Sequence, residues 1–164
     1  MGREIERKFL IDAAKWERPA ECTRIVQGYL VREPGMTLRV RLAGGRAFLT
    51  LKGASHGFSR SEFEYPVPPA DAEAMLKEFA ATALVRKVRY FCRYGGHLWE
   101  VDVFEGGNAG LIVAEIELGS EEEHFDRPPW LGREVTGDHR YSNSALAVNP
   151  YCRWRSDGDA GQTK

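Results

Sequence analysis

Polar and apolar residues alternate along most of this chain, and the alternation predicts strands. In EIERKFLI, Glu4, Glu6 and Lys8 occupy alternate positions with Ile5 between the acids, so an extended backbone places the three charges on one face. Further alternating runs follow as IVQGYLVRE, MTLRVRLA, RAFLTLKG, SRSEFEYPV, LVRKVRYFCRY, HLWEVDVFE and LIVAEIEL. Gly44-Gly45 and Gly95-Gly96 separate neighbouring runs and predict hairpin turns. Helical spacing is clear in ADAEAMLKEFAATA, where Ala72, Met75, Leu76 and Phe79 share a face, predicting a helix near residues 71–82. Ser120 and Glu123 read as a capping box opening a short helix that Pro128-Pro129 ends, and a second short helix is expected over Ser142 to Ala147.

The sign of the charges changes the picture. The pairs Glu62/Glu64, Glu100/Asp102 and Glu115/Glu117 are acidic only, whereas Arg39/Arg41, Lys52 and Lys87/Arg89 are basic only. A solvated antiparallel sheet also alternates polar with apolar residues, but its wet face normally mixes signs and uses Thr, Ser and Gln freely. The pattern fits better an α+β protein, mainly antiparallel β, built as a closed barrel of about eight strands with charges lining the lumen and helices flanking its apolar exterior. Clustered carboxylates bind hard divalent cations through oxygen, and Arg and Lys bind phosphate oxygens. A lumen with both walls therefore suits a small triphosphate arriving with Mg²⁺ or Mn²⁺.

Composition adds bounds. The 164 residues suit one domain, expected over residues 1–154, with RSDGDAGQTK (residues 155–164) as a disordered tail. A formal net charge of −1 supplies no basic excess for nucleic acid or an anionic membrane. Cys22, Cys92 and Cys152 are odd in number and far apart, which reads as reduced thiols and a cytoplasmic location. The apolar runs fall short of the roughly 20 residues of a membrane helix. His56, His97, His124 and His139 lack metal-ligand spacing and read as surface residues; Trp16, Trp99 and Trp130 read as core or cover.

EIERK fits the ExExK signature of the CYTH family, the triphosphate tunnel metalloenzymes. QGYL, TLRVR, LTLKG, SRSEFEY, KVRY, WEVDVF, AEIEL and EVTGDHRYSNSALA follow in that family's order. The chain resembles the family from about residue 3 to residue 150, and within it the bacterial tripolyphosphatase-like branch. The resemblance implies an eight-stranded tunnel, a divalent metal at two sites, and a homodimer as a family-level expectation. Glu4, Glu6 and Glu117 would bind one metal, and Glu62, Glu64 and Glu115, with Asp102 nearby, a second. Lys8, Arg39, Arg41, Lys52, Lys87 and Arg89 would grip phosphate, with Arg133 adding a contact from the C-terminal segment. Glu100 sits near the expected tunnel mouth. Tyr29, in QGYL, would act with Lys8 on the terminal phosphoryl group; the competing reading is a tyrosine packed in the barrel wall. The implied reaction is hydrolysis of inorganic tripolyphosphate to pyrophosphate and phosphate. A class IV adenylyl cyclase, a thiamine or nucleoside triphosphatase, and a polyphosphate-binding barrel without catalysis remain alternatives.

Overall fold

Nine strands form one antiparallel sheet among the residues, 2–155, that the computed structural model describes. They are β1 (Gly2–Ile11), β2 (Cys22–Glu33), β3 (Met36–Ala43), β4 (Arg46–Gly53), β5 (Ser59–Val67), β6 (Val85–Tyr94), β7 (His97–Phe104), β8 (Ile112–Glu117) and β9 (Leu131–Glu134). Residues 156–164, nearly all of the segment expected to be a disordered tail, lie outside the described residues.

β1 closes the barrel. One of its edges pairs with β8, from Glu6 opposite Glu117 to Leu10 opposite Val113. Its other edge takes β5 over Gly2 to Ile5 and then β9 over Phe9 to Ile11. Eight strands therefore close in the order β1-β5-β4-β3-β2-β6-β7-β8, and β9 is an addition outside the ring. LGRE is too short to show alternation, which is why the sequence did not announce β9. At the β6–β7 turn Gly95 and Gly96 have φ of 57° and 82°, the left-handed pair that a two-residue hairpin turn demands.

Alternation sends the apolar side chains outward, where they need cover. Phe9, Trp99, Val101, Ile116 and Phe125 form one buried outer cluster, with Trp16 and Trp130 packed on it. On the opposite side α1 (Pro69–Phe79) lays Ala72 and Leu76 over Val40 and Ala47. Pro68 and Pro69 start this helix, and it ends at Phe79 because Ala80 turns extended, earlier than the apolar spacing predicts. Ala81 then donates its N–H to the Tyr29 carbonyl.

The helix comes close to β2 because Gly28 has no side chain. A Cβ there would stand 2.9 Å from both Leu76 Cδ2 and Leu84 Cδ2. Gly28→Ala is expected to push α1 off the barrel and cost about 1–3 kcal/mol in chemical denaturation. Unchanged stability would show that α1 shifts freely.

The capping-box helix after Ser120 does not form. Residues 121–122 make only a turn, and Glu123 is engaged elsewhere: it accepts from the Gly119 N–H at 2.7 Å and pairs with His97 Nε2 at 2.6 Å. His97 is accordingly half-buried rather than a free surface residue, while His56, His124 and His139 are exposed. The second expected short helix is present as α2 (Asn143–Leu146), with the Ser142 hydroxyl accepting from the Ala145 N–H. Together with Tyr141 and Tyr151, α2 packs Leu146 on Leu10, Tyr29, Val85 and Phe104, plugging one end of the tunnel with apolar side chains.

Candidate active site

Ring order turns the alternation of sign into two walls. Adjacent strands β7, β8, β1 and β5 carry Glu100, Asp102, Glu115, Glu117, Glu4, Glu6, Glu62 and Glu64; β4, β3 and β6, with β2 between the last two, carry Lys52, Arg39, Arg41, Lys87 and Arg89. An acidic arc thus faces a basic one across a cavity of about 270 Å³. Lys8 and Arg60 are the two cations set within the acidic arc that also line it.

The walls are stitched where they meet. At the β4–β5 seam Lys52 Nζ lies 2.8 Å from Glu4 Oε2 and 3.2 Å from Glu62, and Thr50 donates to Glu64 at 2.8 Å. Arg39 donates to Thr50 at 3.2 Å and stands 3.7 Å from Glu64. At the β6–β7 seam Asp102 accepts from Arg89 Nε at 2.8 Å and from Lys87 at 2.7 Å, and Arg89 also reaches Glu100 at 2.8 Å. Lys8 lies between, 3.7 Å from Glu115. Arg60 Nε is 3.5 Å from Glu4.

The carboxylates crowd one another. Burial, then the charges of Glu115 and Glu4, push the Glu6 acid up to about 8. Burial and a hydrogen bond it donates to Glu4 push Glu62 up to about 7. Burial acts the same way on Glu4 and Glu115, but it is outweighed. Glu4 is held well below the carboxylate range by the bond from Glu62 and by Lys52 and Arg60, and Glu115 by Lys8, Arg89 and Lys87. Partial burial and the nearby Glu4, Glu100 and Glu64 raise Glu117 at the mouth. Two carboxyl pairs, Glu4–Glu62 and Glu6–Glu115, thus each share a proton at a place a cation could take. All these donors are oxygens, the set that Mg²⁺ or Mn²⁺ prefers. Among the described residues no three such side chains are already gathered around one point, so an ion would have to draw them in.

Sequence comparison decides the affiliation: the CYTH domain model matches residues 2–145. The chain belongs to the CYTH domain family. This CYTH domain is 43% identical over 151 residues to an inorganic triphosphatase of Acetivibrio thermocellus, a match covering 92% of the chain and 97% of the relative. It is 39% identical over 150 residues to an inorganic triphosphatase of Nitrosomonas europaea, covering 89% and 97%. A solved inorganic triphosphatase superposes with a TM-score of 0.64 at 37% identity, over 88% of this chain and 94% of that one. A Pyrococcus horikoshii protein at 21% identity shares the fold, with a TM-score of 0.57 over 72% and 79%.

Most of the residues expected at the site line the cavity of this CYTH domain: Glu4, Glu6, Lys8, Tyr29, Arg39, Arg41, Lys52, Glu62, Glu64, Arg89, Glu115 and Glu117, with Glu100 beside them. Three stand elsewhere. Lys87 points inward but is fully buried below the cavity, bonded to Asp102 and to the Asn143 side-chain oxygen of α2 at 2.9 Å. Asp102 is also fully buried, with both oxygens occupied by Arg89 and Lys87. Arg133 is exposed on β9, outside the ring, and does not line the cavity. Conversely Arg60, Thr37 and the plug residues Ser142, Asn143 and Ser144 line it without having been singled out. Arg60 shares the parity of Glu62 and Glu64 and was legible in SRSEFEY. The plug residues lie on no alternating run, so nothing local marks them.

Membrane crossing by helix has no candidate here: among the described residues no helix is long and apolar enough.

Proposed function

We propose that this CYTH domain hydrolyses inorganic tripolyphosphate to pyrophosphate and phosphate, using a divalent cation, Mg²⁺ or Mn²⁺, at two sites. The observation that carries the reading is the acidic arc facing a basic arc across one small cavity. A binder of anions alone needs only the basic half. The names of the Acetivibrio and Nitrosomonas relatives support inorganic triphosphate as the substrate class.

In this reading Arg39, Arg41, Lys52 and Arg89 hold the phosphate oxygens, with Arg60 reaching in from the opposite arc. Carboxylates drawn from Glu4, Glu6, Glu62, Glu64, Glu115 and Glu117 hold the cations. Bound there, the metal neutralises phosphate charge and lowers the pKa of a coordinated water. Lys8 and Tyr29, at the plugged end, hold the terminal phosphoryl group in line as a water oxygen bonds to its phosphorus and the bridging P–O bond breaks. Pyrophosphate is the leaving group. Lys87 and Asp102 have no direct part: they hold Arg89 and α2 in place from below the cavity floor.

Purified protein given tripolyphosphate with Mg²⁺ or Mn²⁺ should release pyrophosphate and phosphate in equal amounts by ion chromatography, and chelation should stop the release. Cyclic AMP from ATP with no tripolyphosphate turnover would place the protein among cyclases instead.

A further inference from the structure

The cations of the two seams are each paired with an acid, but Arg41 is not. Among the described residues, the one hydrogen bond of the Arg41 side chain runs from Nε to Gln27 Oε1 at 2.9 Å, and no carboxylate approaches it within ion-pair distance. Arg41 lies in the basic arc, opposite Gln27 in the β2–β3 register, where the charges of Arg39 and Arg89 oppose its own and Asp102 attracts it only from beyond ion-pair distance. Gln27 itself is fully buried, between Arg41 and Val85. A guanidinium can only donate, so the amide oxygen must face Arg41 and the amide nitrogen must point away. Gln27 Nε2 is left buried without a partner, an arrangement that costs stability.

Glutamate would fit the same space, satisfy Arg41 with a full charge, and leave no stranded N–H. The protein carries the less stabilising residue. We infer that Gln27 is a positioning residue for phosphate binding: it fixes the Arg41 fork by Nε alone and, being neutral, keeps the charge of that guanidinium available to the triphosphate. The inference rests on the triphosphate reading above and adds a residue that touches neither phosphate nor metal.

Glutamine and glutamate differ here in opposite directions for the free and the bound protein. Gln27→Glu should raise the melting temperature of the ligand-free protein, because Arg41 gains an internal counter-charge. It should weaken tripolyphosphate roughly 10- to 100-fold, the loss of about one charge-assisted hydrogen bond. Calorimetric titration with tripolyphosphate in EDTA reads this without turnover, and steady-state kinetics with Mg²⁺ should show the change in KM rather than kcat. Gln27→Met keeps the shape and removes the acceptor without adding charge; it should lower the melting temperature and weaken binding less than Gln27→Glu does.

The outcomes separate. A wild-type protein that neither takes up tripolyphosphate in EDTA nor turns it over with Mg²⁺ overturns the triphosphate reading and this one together. Turnover with Mg²⁺ but no uptake in EDTA, with KM unchanged in Gln27→Glu, overturns only the role of Gln27. Wild-type binding with Gln27→Glu equal to it overturns only the role of Gln27. Binding weakened as much by Met as by Glu makes Gln27 a packing residue and also overturns it.

Discussion

Glu4→Gln is expected to reduce tripolyphosphate turnover by about a thousandfold or more while the barrel still folds. Glu4 is the carboxylate on which the acidic arc converges: Lys52 and Arg60 approach it, and Glu62 donates to it. An amide of the same shape keeps the volume but cannot carry the anionic charge that a cation site needs. Metal-borne charge stabilisation in phosphoryl transfer is worth several kcal/mol, which sets the thousandfold scale. The two acids of EIERK should separate on stability. Glu4 is ionised and held by cations, so Glu4→Gln should lower the melting temperature of the metal-free protein, leaving Lys52 to Glu62 alone. Glu6 is pushed up by burial and by Glu115 and Glu4, so Glu6→Gln removes a group whose charge the fold resists, and the melting temperature should hold or rise. Both variants should lose turnover. Turnover near wild type in Glu4→Gln at limiting Mg²⁺ would take Glu4 out of the metal site.

Period two told which face each strand residue occupies, and it told this well. Glu4, Glu6, Glu62, Glu64, Glu115 and Glu117 all reach the cavity that their parity demanded. Parity says nothing about height along the tunnel axis. Lys87 and Asp102 point inward as Arg89 and Glu100 do, yet they lie below the cavity floor, where β6 and β7 approach the plug and Asn143 covers the ammonium. Height depends on strand stagger around the ring, a property of eight pairings at once rather than of any one segment. Gln27 was missed for a related reason. Its significance comes from what Arg41 lacks, and a missing ion-pair partner shows only when the neighbours of a whole arc are in place. The capping box at Ser120 was a local signal overruled by tertiary partners, since His97 and Gly119 took the Glu123 carboxylate. Sign segregation survived folding because it is a global property already: four adjacent strands carry the acidic wall and three of the remaining four the basic one, so the lumen is polarised whatever the exact register.

Tyr29→Phe is expected to lower kcat about 10- to 1,000-fold with little change in affinity. The two readings of this tyrosine, reacting group and wall packing, concern different atoms, the hydroxyl and the ring. The residue is 4% exposed and belongs to the apolar plug with Leu10, Val85 and Tyr141, yet it also lines the cavity with Lys8. A register shift between Tyr29 and Val31 breaks the β2–β3 ladder just past it, the kind of irregularity that re-aims a side chain. The backbone is pinned there, its N–H donating to Thr82 Oγ1 at 3.3 Å and its carbonyl accepting from Ala81 at 2.8 Å. Phenylalanine keeps the ring and all of that packing, so the melting temperature should stay where it is. What disappears is one positioned hydroxyl, and a lost donor to a developing oxyanion costs about 100- to 1,000-fold in the best-studied case. With the proposed ground-state grip on the basic arc, KM should move by less than about threefold. A Tyr29→Phe protein that turns over tripolyphosphate at the wild-type rate would leave the ring as wall packing and Lys8 to hold the terminal phosphoryl group without it.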